Sequence, residues 1–218
     1  MILAVCGGKG GVGKSTTAFN LAAAVDGVVV DGDLAMADLP TARGPDLHDV
    51  LADRATASEA VREGGAVSIL PCGRSLAGAR ACDLGRIGDA LRDVAAEYGD
   101  VVVDCPAGLN AAVGAPLAAA DACVIVTTPA PAAVADALRT RALARTLNAG
   151  LAAVVLNRDD GQNTKRYRAA FGGPVVTIPP SEAVARANEA GVPVVASRPD
   201  ADASRAMEEL GALVQRSV

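Results

Sequence analysis

Seven short apolar runs, at residues 2–6, 28–30, 67–70, 101–103, 123–127, 153–156 and 175–178, constrain this chain more than any other feature. Nearly all are Val, Ile, Leu and Ala without polar alternation. A strand with one wet face alternates, so runs apolar throughout predict strands covered on both faces. Between them, segments 14–25, 84–97, 132–147, 181–189 and 204–215 read as helices. This β/α alternation predicts an α/β fold with a mostly parallel central sheet and helices on both faces. With 218 residues, 51% of them hydrophobic, the chain can bury one substantial core, and residues 1–218 are expected to form a single domain. Phe19, Tyr98, Tyr167 and Phe171 are the only aromatics, which argues against a base-stacking surface.

The strongest chemical signal lies where the first run meets the first helical segment. Gly8-Lys9-Gly10-Gly11-Val12-Gly13-Lys14-Ser15 satisfies the Walker A pattern between an apolar strand and a helix, the context in which that pattern carries meaning. Glycines let successive backbone N–H groups turn toward phosphate oxygens, and the helix N-terminus adds its positive dipole. Lys14 then neutralises β- and γ-phosphate charge, and Ser15 is expected to ligate Mg²⁺. Binding and hydrolysis of Mg·ATP is the expectation.

Two acidic sites follow from the strand pattern. Asp104 ends the run 101–103, and a carboxylate at the C-terminal tip of a parallel strand faces the crevice where open α/β sheets bind ligands. It reads as a Walker B acid beside Mg²⁺, with Cys105-Pro106-Ala107-Gly108 as a candidate γ-phosphate sensor. A turn-capping Asp is the alternative. Asp31-Gly32-Asp33 follows the run 28–30; Asp33 is expected to position the attacking water and touch the Mg²⁺ shell, and Asp31 to stabilise the loop. A solvated turn remains the alternative.

Lys9-Gly10-Gly11-Val12-Gly13-Lys14-Ser15-Thr16 resembles the deviant Walker A motif of the MinD/ParA family of P-loop ATPases, which begins with a second lysine. The resemblance extends over Asp31-Gly32-Asp33, Leu47-His48-Asp49-Val50-Leu51, Leu70-Pro71-Cys72-Gly73, Asp104-Cys105-Pro106-Ala107-Gly108, Ile178-Pro179-Pro180 and Gly191-Val192-Pro193-Val194-Val195, and so spans essentially the whole chain. It is closest to archaeal-type MinD-like proteins. It implies a three-layer P-loop NTPase fold, ATP and Mg²⁺ as ligands, and slow hydrolysis to ADP and phosphate. It implies that loop residues Gly8 to Thr16 and Asp104 hold the nucleotide, with Asn157 and Pro179 against adenine. It further implies an ATP-dependent homodimer in which Lys9 reaches the phosphates of the other subunit, as an arginine finger does. The role implied is a spatial-positioning switch for cell division or polar complexes, with a protein effector or cargo as partner. A ParA-like partitioning ATPase that binds DNA non-specifically is the alternative.

Departures from the family bear on partners. Met207, Leu210 and Val214 fall on one face of the last helical segment, but Glu208 and Glu209 adjoin them and no basic face is present. Packing on the body is therefore expected rather than direct membrane binding. Nucleic acid is disfavoured by the net charge of −5; Arg139, Arg141, Arg145, Lys165, Arg166 and Arg168 are read as solvated faces paired with nearby acids. Lysines are only three, Lys9, Lys14 and Lys165, and this arginine bias with excess carboxylate fits a GC-rich genome or a high-salt cytoplasm. Cys6, Cys72, Cys82, Cys105 and Cys123 are odd in number and dispersed, which suits reduced thiols and a cytoplasmic setting. Cys72, Cys82 and Cys123 are expected to behave as small apolar residues, and Cys105 to border the site. No export signal is read at the N-terminus, and no apolar run reaches the roughly 18 residues needed to span a bilayer.

Overall fold

The computed structural model describes residues 1–34, 39–40, 43–162 and 164–217. The first half runs β1 (Ile2–Cys6), α1 (Lys14–Ala24), β2 (Val28–Asp31), α2 (Leu47–Leu51), α3 (Ala57–Ala60), β3 (Ser68–Leu70), α4 (Leu76–Ala81), α5 (Ile87–Tyr98) and β4 (Val101–Asp104). The second half runs α6 (Ala111–Ala119), β5 (Ala122–Thr127), α7 (Pro131–Thr146), β6 (Gly150–Asn157), α8 (Thr164–Phe171), β7 (Val175–Ile178), α9 (Glu182–Glu189), α10 (Val194–Ser197) and α11 (Asp202–Gln215). All seven apolar runs are strands. They form one sheet in the order β3-β2-β4-β1-β5-β6-β7, and every ladder is parallel.

The absence of alternation in the strands has its physical reason in the layers. Ile2, Ala4 and Cys6 of β1 join one buried cluster with residues of α2, α3, α5, α6 and α7. Leu3 and Val5 point the other way, into a second cluster with α1 and α11. The fold is thus three-layered. In α5, Ile87, Ala90, Leu91 and Val94 are buried at helical spacing. Each fully buried Leu contributes on the order of 1.5–3 kcal/mol relative to exposure. The helix expected over 84–97 is divided by capping: Asp83 accepts a hydrogen bond from the Gly85 N–H, Leu84–Arg86 form a 3₁₀ turn, and the α-helix begins at Ile87.

The C-terminal helix packs on the body as its apolar stripe implied. Met207, Leu210 and Val214 are buried, and Gly211 faces Ala24 so closely that a Cβ there would lie 3.2 Å from the alanine's own. Among the described residues no helix is long and apolar enough to cross a membrane.

Candidate nucleotide-binding site

Strands that are all parallel end at one edge, and that edge gathers the chemistry. Asp31 and Asp104 are directly paired in register at the tips of β2 and β4, and Asp104 is also paired with Val5 of β1. Both carboxylates are buried. Asp31 organises the turn that follows it: its Oδ1 accepts from the Asp33 N–H at 3.3 Å and its Oδ2 from the Leu39 N–H at 3.3 Å. Residues 35–38, into which Asp33 leads, lie outside the described residues.

The glycine loop bridges β1 and α1. A Cβ on Gly7 would lie 2.6 Å from the Val126 carbonyl oxygen, and one on Gly8 would lie 2.5 Å from the backbone of Asp136 in α7. Those two glycines are therefore required by close packing. Gly10 and Gly11 have no neighbour within 4 Å of such an atom, so their side of the loop is open. Gly13 stands at the N-cap of α1 with φ +101° and has no side chain to cap the first turn, so the positive end of the α1 dipole opens onto the glycine loop. Lys14 is the first helical residue and is only 9% exposed, whereas Lys9 is exposed.

Asn157, at the end of β6, pins the loop from the side by donating its Nδ2 to the Val12 carbonyl oxygen at 2.8 Å. Gly13, Thr16, Asn157 and Pro179 line one cleft of about 180 Å³, together with Arg158 and Asn188. Ser15 lines an adjoining hollow with Phe19, Leu39 and Pro40. Asp33 faces a separate hollow of about 560 Å³ that it shares with His48, Pro106, Ala107 and Asn110. The loop, the strand-tip carboxylates and Asn157 and Pro179 are thus brought to one end of the sheet, with Lys9 exposed on the loop.

Two groups escaped the sequence reading. Asn20, wholly buried in α1, donates to the Thr16 carbonyl at 2.8 Å and accepts from the Val194 N–H at 2.6 Å, tying the loop helix to α10. Asn188 of α9 donates to the Thr16 hydroxyl at 3.1 Å. An Asn inside an apolar helix was the available signal for the first; nothing local marks the second.

The cysteines behave mostly as small core residues. Cys6, Cys72, Cys105 and Cys123 are buried, while Cys82 is only partly so. A hydrogen bond with Cys105, then burial and the nearby Asp104 charge, hold the Cys6 thiol well above its ordinary range. Burial pushes the Cys123 thiol up to about 12. Among the described residues no three His, Cys, Asp or Glu cluster as a metal cage. Magnesium typically takes one or two carboxylates and substrate phosphates instead.

Residues 3–194 match the family model for the CobQ/CobB/MinD/ParA nucleotide binding domain. An uncharacterized ATP-binding protein of Methanocaldococcus jannaschii is 33% identical over 230 residues, covering 98% of this chain and 88% of the relative. The cell division ATPase MinD of Pyrococcus furiosus superposes with a TM-score of 0.91 at 24% identity, over 99% of this chain and 98% of that one. The septum site-determining protein MinD of Pyrococcus horikoshii, solved complexed with Mg-ADP, gives 0.88 at 24% identity over 96% and 93%.

Proposed function

The chain belongs to the CobQ/CobB/MinD/ParA nucleotide-binding family, and from that premise we propose that it binds Mg·ATP, hydrolyses it slowly to ADP and phosphate, and dimerises while ATP is bound. One observation carries the reading: a helix N-terminus capped by glycine, with Lys14 buried at its first position, stands beside Asp104 at the tip of an adjacent strand.

Each residue then has a physical task. Backbone N–H groups of residues 10–16 and the α1 dipole hold the phosphates, and Lys14 offsets their charge. The Ser15 hydroxyl and the Asp104 and Asp33 carboxylates are hard oxygen donors, which suits Mg²⁺, and that ion would supply charge neutralisation across the β- and γ-phosphates. Asp33 orients the attacking water. Asn157 and Pro179 flank the adenine, so the side chain that fixes the loop also senses whether the base is present. Lys9, exposed at the loop's outer side, serves the phosphates of a second copy, where a cation in trans stabilises charge on the transferring phosphoryl group.

Such a protein is a switch: ATP times assembly, and the assembled dimer recruits a protein effector or cargo to a cellular position. A second reading, a partitioning ATPase that binds DNA, is favoured by one observation. Residues 131–173 carry seven Arg and Lys against three Asp in a chain that totals 20 against 25. Arg139 is paired with Asp136 at 2.6 Å, as expected of a solvated helix face.

Phosphate release from ATP, measured for the native chain, Lys14→Ala and Asp33→Ala, tests the reading. Lys14→Ala is expected to lose nucleotide affinity, and Asp33→Ala to keep affinity but lose turnover. Undiminished ATP affinity in Lys14→Ala would remove the phosphate-loop assignment. ATP-dependent retention of duplex DNA that declines steeply with salt would favour the second reading.

A further inference from the structure

His48 is the only histidine of the chain, it is buried, and the chemistry above makes no use of it. It projects from α2, whose start is fixed by a capping box of Asp46 and Asp49 and by the Leu47 N–H donating to the Pro71 carbonyl at 2.9 Å. Its Nε2 lies 3.1 Å from the Leu34 carbonyl oxygen and 3.4 Å from Cys72 Sγ. A carbonyl can only accept, so Nε2 carries the hydrogen and donates it to Leu34. Burial first, then the Asp31 and Asp46 charges, hold the Cys72 thiol protonated, so no thiolate competes for that hydrogen.

The ring has little room to turn away. A Cβ on Gly78 would stand 2.7 Å from Nδ1, and one on Gly73 closer still, so two glycines close over that edge. Nδ1 itself has no hydrogen-bond partner among the described residues. The polar reach of the ring therefore runs through Nε2, to the residue immediately after Asp33. The bonds within the turn, Leu34 N–H to the Gly32 carbonyl at 3.1 Å and Asp33 N–H to Asp31 Oδ1, shape it locally. His48 ties it to the helical layer.

We propose that His48 is a positioning residue, a latch whose Nε2–H holds the Asp33–Leu34 turn in the geometry that Asp33 needs. The proposal rests on the role given to Asp33 above. Because loosening the turn misplaces a water-orienting group without touching the phosphate loop, turnover and ATP affinity separate.

The two amide side chains discriminate the atoms of the ring. Gln places its amide nitrogen near the position of Nε2, and Asn near that of Nδ1, where nothing awaits it. In His48→Asn, kcat is expected to fall at least tenfold with KM for ATP within twofold, and amide hydrogen exchange at Asp33 and Leu34 to accelerate about tenfold. His48→Gln is expected to restore both to within threefold of native. Equal values for the Asn and Gln variants, in turnover and in exchange, would overturn the latch. If the native chain hydrolyses no ATP, the reading of the site fails, while the exchange comparison still decides whether His48 holds the turn. Should His48→Asn not fold, Gly78→Ala displaces the same ring from its other side, and native exchange at Leu34 in that variant would count against the proposal.

Discussion

Gly13 offers the sharpest quantitative prediction, because the structure opposes a side chain there for two separable reasons. Its φ of +101° is a conformation that a residue with a Cβ adopts at a cost of about 1–3 kcal/mol. The added Cβ would also collide with the Asn157 amide nitrogen, which must move and give up its 2.8 Å bond to the Val12 carbonyl. A lost neutral hydrogen bond adds about 0.5–1.5 kcal/mol. Gly13→Ala is therefore expected to cost about 2–4 kcal/mol, which a chain with typical stability of about 5–15 kcal/mol survives. Urea unfolding followed by far-ultraviolet circular dichroism reads this directly. Asn157→Ala removes the obstacle, so in that background the Gly13→Ala cost drops to the backbone share alone, and the cycle yields a coupling of about 1 kcal/mol. Gly11→Ala is the control: φ is +75° but nothing lies within 4 Å of the added atom, so only the backbone share applies. Equal Gly13→Ala costs in both backgrounds would refute the argument that Asn157 braces the loop through this contact.

Other expectations follow from the same packing. Asn20→Ala leaves the buried Val194 N–H without its 2.6 Å acceptor and is expected to cost about 1–3 kcal/mol in urea unfolding; a neutral result would mean that α10 is not held through this side chain. In the folded protein a thiol reagent is expected to modify Cys82 first, with Cys6, Cys72, Cys105 and Cys123 reacting on the timescale of unfolding, as peptide mapping after timed labelling would reveal. The Glu59 carboxyl sits below its usual range because the Thr56 backbone N–H and then its hydroxyl donate to it. A depressed folded value makes its contribution full above the unfolded pKa and lost as pH falls through the folded one, so Thr56→Val should raise the Glu59 midpoint in a carboxyl NMR titration.

The strands were legible because burial on both faces leaves a compositional mark: 2–6 and 175–178 are read to the residue, and the acids closing 28–30 and 101–103 prove to be the last strand residues. Helices escaped where periodicity had no length to develop. Leu47–Leu51, Ala57–Ala60 and Leu76–Ala81 each begin at a side-chain cap and span a turn or so. In Ala111–Ala119, Gly114 and Pro116 interrupt the pattern, and the helix starts at the Asn110 cap. Capping, not amphipathicity, defines these elements. At the site, the glycine loop and strand-tip carboxylates were readable because their chemistry is local. Asn20, Asn188 and His48 act on partners supplied by folding, 174, 172 and 14 residues away, so even where a residue stands out locally, as Asn20 does in an apolar helix, its partner is not readable from the neighbouring sequence.

On the proposed switch, ATP bound in this loop times assembly, and light scattering of Asp33→Ala with Mg·ATP reads that assembly. The expected result is a shift from the 21.6 kDa monomer to about twice that mass, absent with ADP and absent when Lys14→Ala is added. A mass that stays at the monomer value while the nucleotide is demonstrably bound would contradict it.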